Sequence, residues 1–217
     1  LELRKHIPAE FTREGRRLRM YFQAKVITHI LRNAPRKVTT VANGDHSKMF
    51  ESLPHKGEVS IVAACLHKFE CAAAEKSSCA VYIHMETGKA VWSRDWDEKL
   101  CTNPTAWITI DRAKYKQIVE HVLDTAIVQV GGELFWQSIG IPMGYEDSPF
   151  MSSTFFDFLD YHFVMQAVKR GDWATALSIR HMYRVADDVF CYNCPNFFQV
   201  MAEWGRVEEG VGADSAW

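Results

Sequence analysis

The chain has 217 residues, 47% hydrophobic and 24% charged, with a formal net charge of −2. That balance is ordinary for a globular protein and excludes a disordered chain, and the length suits one large domain or one and a half small ones. No apolar run reaches the roughly 18 residues that would suggest a membrane span. The opening residues, LELRKHIPAEF, lack the apolar core of a signal peptide. The sequence begins without Met and stops at Ala216-Trp217, so a fragment of a longer chain is expected.

Residues 1–40 carry ten Lys and Arg against the three acids Glu2, Glu10 and Glu14, so the remainder is acidic. A basic segment of this kind is either a polyanion contact or a solvated helix face. Within it, 16–33 spaces its apolar residues as a helix with one buried face, ended by Pro35. Residues 1–37 are therefore read as a basic helical segment and 38–217 as the main domain. Lys37–Ala42 is short and β-branched and predicts a strand, running directly into Asn43-Gly44-Asp45.

Residues 57–76 read as a helix. Residues 79–93 read as a hairpin turning at Glu86-Thr87-Gly88-Lys89, where Gly88 supplies a positive φ. Residues 111–130 read as a helix with Asp111 as N-cap, broken by Gly131-Gly132. ELFWQSIG follows as a strand, IPMGYEDSP as a loop, and 149–169 as an aromatic-rich helix. Residues 181–193 alternate like a hairpin that turns at Ala186-Asp187-Asp188. The order predicts an α+β domain with a mainly antiparallel sheet packed on helices.

The six cysteines show no small-scaffold spacing, so reduced thiols are the default. Cys191 and Cys194 form a lone CxxC, and no second pair completes a four-ligand zinc site.

Carboxylates stand at two strand ends: Asp45, and Asp187 with Asp188. Each alone has an ordinary reading as a turn residue. If the two strands are neighbours in one sheet, three carboxylates converge at one edge, and the cluster repels itself unless cations sit in it. Mg²⁺ takes hard oxygen ligands and is often held by one or two carboxylates plus substrate phosphates. Two such ions about 3.5–4 Å apart can clamp the attacking and leaving oxygens of a phosphoryl transfer.

Three stretches follow in order: VANGDHSKMFESLPH (41–55), QSIGIPMGYEDSPFMS (137–152) and YRVADDVF (183–190). Together they resemble motifs A, B and C of the reverse transcriptase family, which includes telomerase, Penelope-like, non-LTR retroelement and group II intron enzymes. The likeness covers most of residues 38–195. It implies a polymerase palm for 38–217, with incomplete fingers and no complete thumb, and 1–37 as the end of the fingers or the fingers–palm connection. It implies an RNA-directed DNA polymerase that joins a dNTP to a primer 3′-OH. By position, Asp45 and Asp187 would ligate both of two Mg²⁺ ions, with Mn²⁺ as an alternative. Asp188 would support them, and the His46 backbone carbonyl would complete a metal shell.

The likeness also places Phe50 at the family's steric gate, where a ring excludes a 2′-hydroxyl and so favours deoxynucleotides. An ordinary core aromatic is the alternative for Phe50. Gln137, Pro142, Met143 and Gly144 would face the nucleotide: Gly144 allows close backbone approach, Pro142 stiffens the loop, and Met143 offers soft packing. Gln137 would orient the loop, or is an edge-strand polar residue. The implied partners are an RNA template, a DNA primer or RNA–DNA hybrid, dNTP and a ribonucleoprotein, with no membrane. The expected location is intracellular, nuclear or organellar.

Two features depart from the family pattern. Val185 stands where an aromatic is common in motif C, and Glu146 and Asp147 add negative charge beside a template strand. The acidic loop, with the truncated ends, motivates a different function, a catalytically retired palm serving as a structural or RNA-binding part of a ribonucleoprotein. An RNA-dependent RNA polymerase is the third expectation, opposed by Phe50.

Overall fold

The computed structural model describes residues 38–45, 49–97, 104–142, 145–178, 182–185, 188–195 and 197–202. The expected helix 16–33 lies outside them. In chain order the elements are strand β1 (Val41–Asp45), helices α1 (Met49–Ser52) and α2 (Ile61–Glu75), strands β2 (Ala80–His84), β3 (Ala90–Trp92) and β4 (Trp107–Asp111), and helix α3 (Arg112–Asp124). Then come strands β5 (Ile127–Val130) and β6 (Glu133–Trp136), helices α4 (Ser148–Lys169) and α5 (Trp173–Ser178), and strands β7 (Met182–Val185) and β8 (Asp188–Tyr192). Residues 197–202 are helical. The fold mixes helices with small antiparallel sheets, compatible with the expected α+β class. Among the described residues the sheets are three, ordered β1-β8-β7, β3-β2-β4 and β5-β6, rather than one main sheet. No helix among these residues is long and apolar enough to cross a membrane.

The chain divides into two compact units, Leu1–Ser52 with Leu159–Trp217, and Leu53–Phe158. The first holds the β1-β8-β7 sheet. One of its faces is apolar: Met182, Val189 and Cys191 are buried and cluster with Phe163, Val164 and Ala167 of α4 and with Phe197 and Val200 of the 197–202 helix. Ala42 packs against the same cluster. Burial of these side chains is the main favourable term holding the sheet to its helices. Asp172 accepts from Thr175 N at 3.0 Å and so caps α5, and hydrogen bonds from the Thr175 side chain and backbone hold its carboxyl below the usual carboxylate range.

The second unit is built on α2 and α3. Ser60 caps α2 by accepting from Ala63 N at 3.2 Å, and Asp111 caps α3 by accepting from Lys114 N at 2.8 Å. The helices meet through Phe69 and Tyr115, whose rings stack at 5.0 Å, and through the Arg112–Glu70 ion pair. The β2–β3 hairpin closes at Gly88 with φ 65°, as its sequence predicts.

Several boundaries differ from expectation. The strand predicted over Lys37–Ala42 runs instead over Val41–Asp45, so Asn43-Gly44-Asp45 is strand and not turn. Pairing of every one of those residues with β8 outweighs the local turn preference. The helix predicted over 57–76 begins at Ile61, where its cap is. The helix predicted over 111–130 ends at Asp124, and Thr125 closes it with a hydroxyl bond to the His121 carbonyl at 2.7 Å. Residues 127–130 are β5, paired with β6 across Gly131 (φ 60°) and Gly132 (φ 92°). Two positive φ values in a two-residue link match the twist of a tight hairpin, so the glycines make a turn as well as a break. Strand β4 and helix α5 had no sequence counterpart.

Cys65, Cys79 and Cys191 are free thiols. Burial pushes the Cys65 thiol up to about 11, only partly offset by Lys68, and burial with the neighbouring Cys65 pushes Tyr115 up to about 12. Burial, with Cys194 beside it, also pushes Cys191 up to about 11. An acid whose folded pKa is raised keeps its proton longer when folded, so the contribution of these two thiols is fully present below pH 9 and is lost as pH rises from 9 to 11. Urea unfolding midpoints should fall across that window, and the slope should flatten in a Cys65→Ala, Cys191→Ala variant. An unchanged slope in the double variant would assign the alkaline loss to other groups.

Candidate active site

Strand β1 pairs antiparallel with β8 in the register Val41↔Tyr192, Ala42↔Cys191, Asn43↔Phe190, Gly44↔Val189 and Asp45↔Asp188. Asp45 is the last residue of β1 and Asp188 the first of β8. The two aspartates therefore occupy directly opposed positions at one end of the sheet, where Cα atoms of antiparallel partners stand about 4.5–5.5 Å apart. Asp188 is exposed. Strand alternation sets positions 45 and 188 apart from the core-facing 42, 44, 189 and 191. β7 pairs with β8 through Val185↔Asp188, so only residues 186 and 187 link the two strands. Asp188 thus belongs to the strand and not to the turn predicted at 186–188. Asp187, adjacent to it in the chain, lies outside the described residues, as do His46 and the Asp45 side chain.

The far end of this strand pair is latched. Asn193, at φ 51°, accepts through its side-chain oxygen from Thr39 N at 2.7 Å, Thr39 Oγ1 at 3.0 Å and Thr40 N at 3.4 Å. Its own N–H donates to the Thr40 carbonyl at 2.9 Å. Asn tolerates this left-handed backbone better than most residues, which suits it to the position. A slip of one residue would carry Asp45 to the other face of the sheet, and the latch opposes that slip. On the other side of Asp45, helix α1 carries Phe50, partly buried.

The motif-B-like stretch lies in the second unit. Gly140 adopts φ 80°, in the region that favours glycine. Its N–H donates to the Leu53 carbonyl at 2.8 Å, and its carbonyl accepts from Nε2 of the buried His55 at 2.6 Å. Ile141 and Pro142 are buried, and the buried Ser148 hydroxyl donates to the Pro142 carbonyl at 2.6 Å. Tyr145, Glu146 and Asp147 are exposed. Gln137 donates its N–H to Ala126, while its side-chain oxygen is buried without a hydrogen-bond partner among the described residues. Met143 and Gly144 lie outside the described residues. Sequence reasoning passed over the structural parts played by Asn193, His55 and Gly44. Their only sequence signals are a polar residue between two core cysteines, a histidine closing Ser-Leu-Pro-His, and a glycine beside the first aspartate.

Two carboxylates at opposed sheet positions repel each other when both are charged. Carboxylate oxygen, as on the exposed Asp188, is the donor type that a hard divalent cation takes, though no group of three or more His, Cys, Asp or Glu among the described residues could hold one. No protein-family model and no curated protein matches the chain.

His55→Phe keeps a ring in place and leaves the Gly140 carbonyl without its donor. The cost should be about 1–3 kcal/mol, the penalty of an unsatisfied buried acceptor, seen as a lowered unfolding midpoint and faster amide exchange over 138–148. Exchange unchanged from the parent would mean the bond does not hold the loop.

Proposed function

We propose that the chain is the palm of an RNA-directed DNA polymerase. The observation that supports this reading best is the Asp45↔Asp188 pairing at the end of β1 and β8. It sets the aspartate of the motif-A-like stretch against the second aspartate of the motif-C-like stretch, far away in sequence. The local reading of each as a solvated turn residue does not account for their meeting in one register pair.

In this reading Asp45 and Asp187 hold two Mg²⁺ ions, with Asp188 as a supporting acid and the His46 carbonyl as a further oxygen ligand. Bound there, Mg²⁺ supplies charge stabilisation to the phosphates of the incoming nucleotide and lowers the pKa of the attacking hydroxyl. The primer 3′-oxygen forms a bond to the α-phosphorus of the dNTP, the bond to the β-phosphate oxygen breaks, and pyrophosphate leaves. The protein contributes mostly position and electrostatics, as in phosphoryl transfer generally. Phe50 closes the space that a 2′-hydroxyl would need. Gln137, Pro142, Met143 and Gly144 would face the nucleotide, in a stretch where His55 bonds Gly140 and Ser148 bonds Pro142. The partners are an RNA template, a primer and dNTP, within a ribonucleoprotein in the nucleus or an organelle.

The exposed Glu146 and Asp147 favour a second reading, a palm retained for RNA binding or architecture. Primer extension on an RNA template in Mg²⁺ separates the two. Deoxynucleotide incorporation should fall roughly 10³-fold or more in Asp187→Asn, the scale of losing a main electrostatic stabiliser. Phe50→Ala should raise the use of ribonucleotides roughly tenfold. RNA binding with no incorporation in any nucleotide would favour the architectural reading, and an unaffected Asp187→Asn would sink the polymerase assignment.

A further inference from the structure

Gly44 immediately precedes Asp45 and pairs with Val189, which immediately follows Asp188. It therefore stands beside both members of the opposed aspartate pair. Its φ is not in the left-handed region, so backbone conformation does not demand glycine there. Space does. A Cβ added at Gly44 would lie 3.2 Å from Phe197 Cζ, 3.3 Å from Met201 Cε and 3.6 Å from Phe197 Cε1. Phe197 cannot withdraw easily, since it is 2% exposed and fixed in the cluster with Cys194 and Val200. Met201 is partly buried and its methyl end is the more compliant neighbour. The strand end and the 197–202 helix thus meet at the one position of β1 that has no side chain.

We propose that Gly44 is a positioning residue for the metal-binding strand end: its missing side chain lets the 197–202 helix seat directly on β1 and sets where the Asp45 backbone lies against β8. The inference rests on the polymerase reading above. Any larger residue at 44 must either push Phe197 into a filled core or lift the end of β1 by a few tenths of an ångström. The second path moves the Asp45 position relative to Asp188, and carboxylates that share cations tolerate little displacement. Misplacement of about 1 Å in reacting groups can cost on the order of 100-fold in rate, so a shift of a few tenths should cost roughly tenfold.

The test compares Gly44→Ala, Phe197→Leu and the double variant in the full chain. Each is assayed for primer extension against Mg²⁺ concentration and for Mn²⁺ binding by electron paramagnetic resonance. Phe197→Leu removes the two ring atoms that the new Cβ meets. Gly44→Ala is expected to lower incorporation about tenfold and to raise the Mg²⁺ concentration for half-maximal rate and the Mn²⁺ dissociation constant together, with the nucleotide KM little changed. The double variant should recover most of the loss, which general damage to the fold would not permit. A Gly44→Ala protein with parental rate and metal dependence overturns the proposal. So does a folded double variant no better than Gly44→Ala. If Gly44→Ala does not fold, recovery of folding and activity in the double variant supports the packing claim, and a folded but inactive double variant overturns it. If the parent chain binds Mn²⁺ without extending a primer, the polymerase reading fails. The Mn²⁺ affinity of Gly44→Ala then decides the positioning role: weakened affinity supports it, parental affinity overturns it. A parent that neither extends nor binds Mn²⁺ overturns both.

Discussion

The register between β1 and β8 is the constraint on which the candidate site depends. Side chains alternate along a strand with a period of two, so a pairing shifted by one residue exchanges the core face for the outer face. In the observed register Ala42, Val189, Cys191 and Met182 belong to the packed core, and positions 45 and 188 fall in the alternate set. Hydrophobic burial on one face thereby determines which residues are left to meet at the strand end. Three features restrain the same register: the buried cluster, the Asn193 latch at the far end, and the close seat of Phe197 and Met201 on Gly44.

The arrangement concentrates like charge where packing alone would avoid it. A directly opposed aspartate pair is locally unfavourable, and sheet, latch and core all act to keep it there. Such a conflict between local preference and global structure is characteristic of functional positions. In the proposed function, a divalent cation with nucleotide phosphates would resolve it by turning the repulsion into coordination. The second unit shows the same division of labour at its loop. Leu53 and His55 fix Gly140, Ser148 fixes Pro142, and the stretch between is left to the exposed Tyr145, Glu146 and Asp147. The β5–β6 hairpin that leads into it carries Leu134 and Trp136, each 70% exposed, so its apolar side chains are not what stabilises the unit.

Features governed by near neighbours were legible in the sequence. The 79–93 hairpin follows from its Gly88 turn, the α3 start from Asp111 as cap, and α4 from a long aromatic period. The neighbouring of the two carboxylate-bearing strands was legible as a conditional expectation. Features governed by distant partners were not. Asn-Gly-Asp reads as a turn until β8 pairs with it, and Ile127–Val130 continues the apolar period of α3 until β6 claims it. The Asn193 latch spans 154 residues of sequence and the His55–Gly140 bond 85, and no local pattern announces bonds of that length. Gly44 carries no signal beyond being a glycine in a strand, which marks a close approach without saying to what.

The most direct measurement is a Mn²⁺ titration of the full chain with a non-reactive dNTP analogue, read by electron paramagnetic resonance, with Asp45→Asn and Asp188→Asn alongside. If the opposed aspartates form a metal centre, the parent binds manganese in a nucleotide-dependent manner and both variants lose affinity, Asp45→Asn the more severely. Equal manganese binding in all three proteins would contradict the account, and the Asp45–Asp188 pairing would then be a feature of the sheet alone.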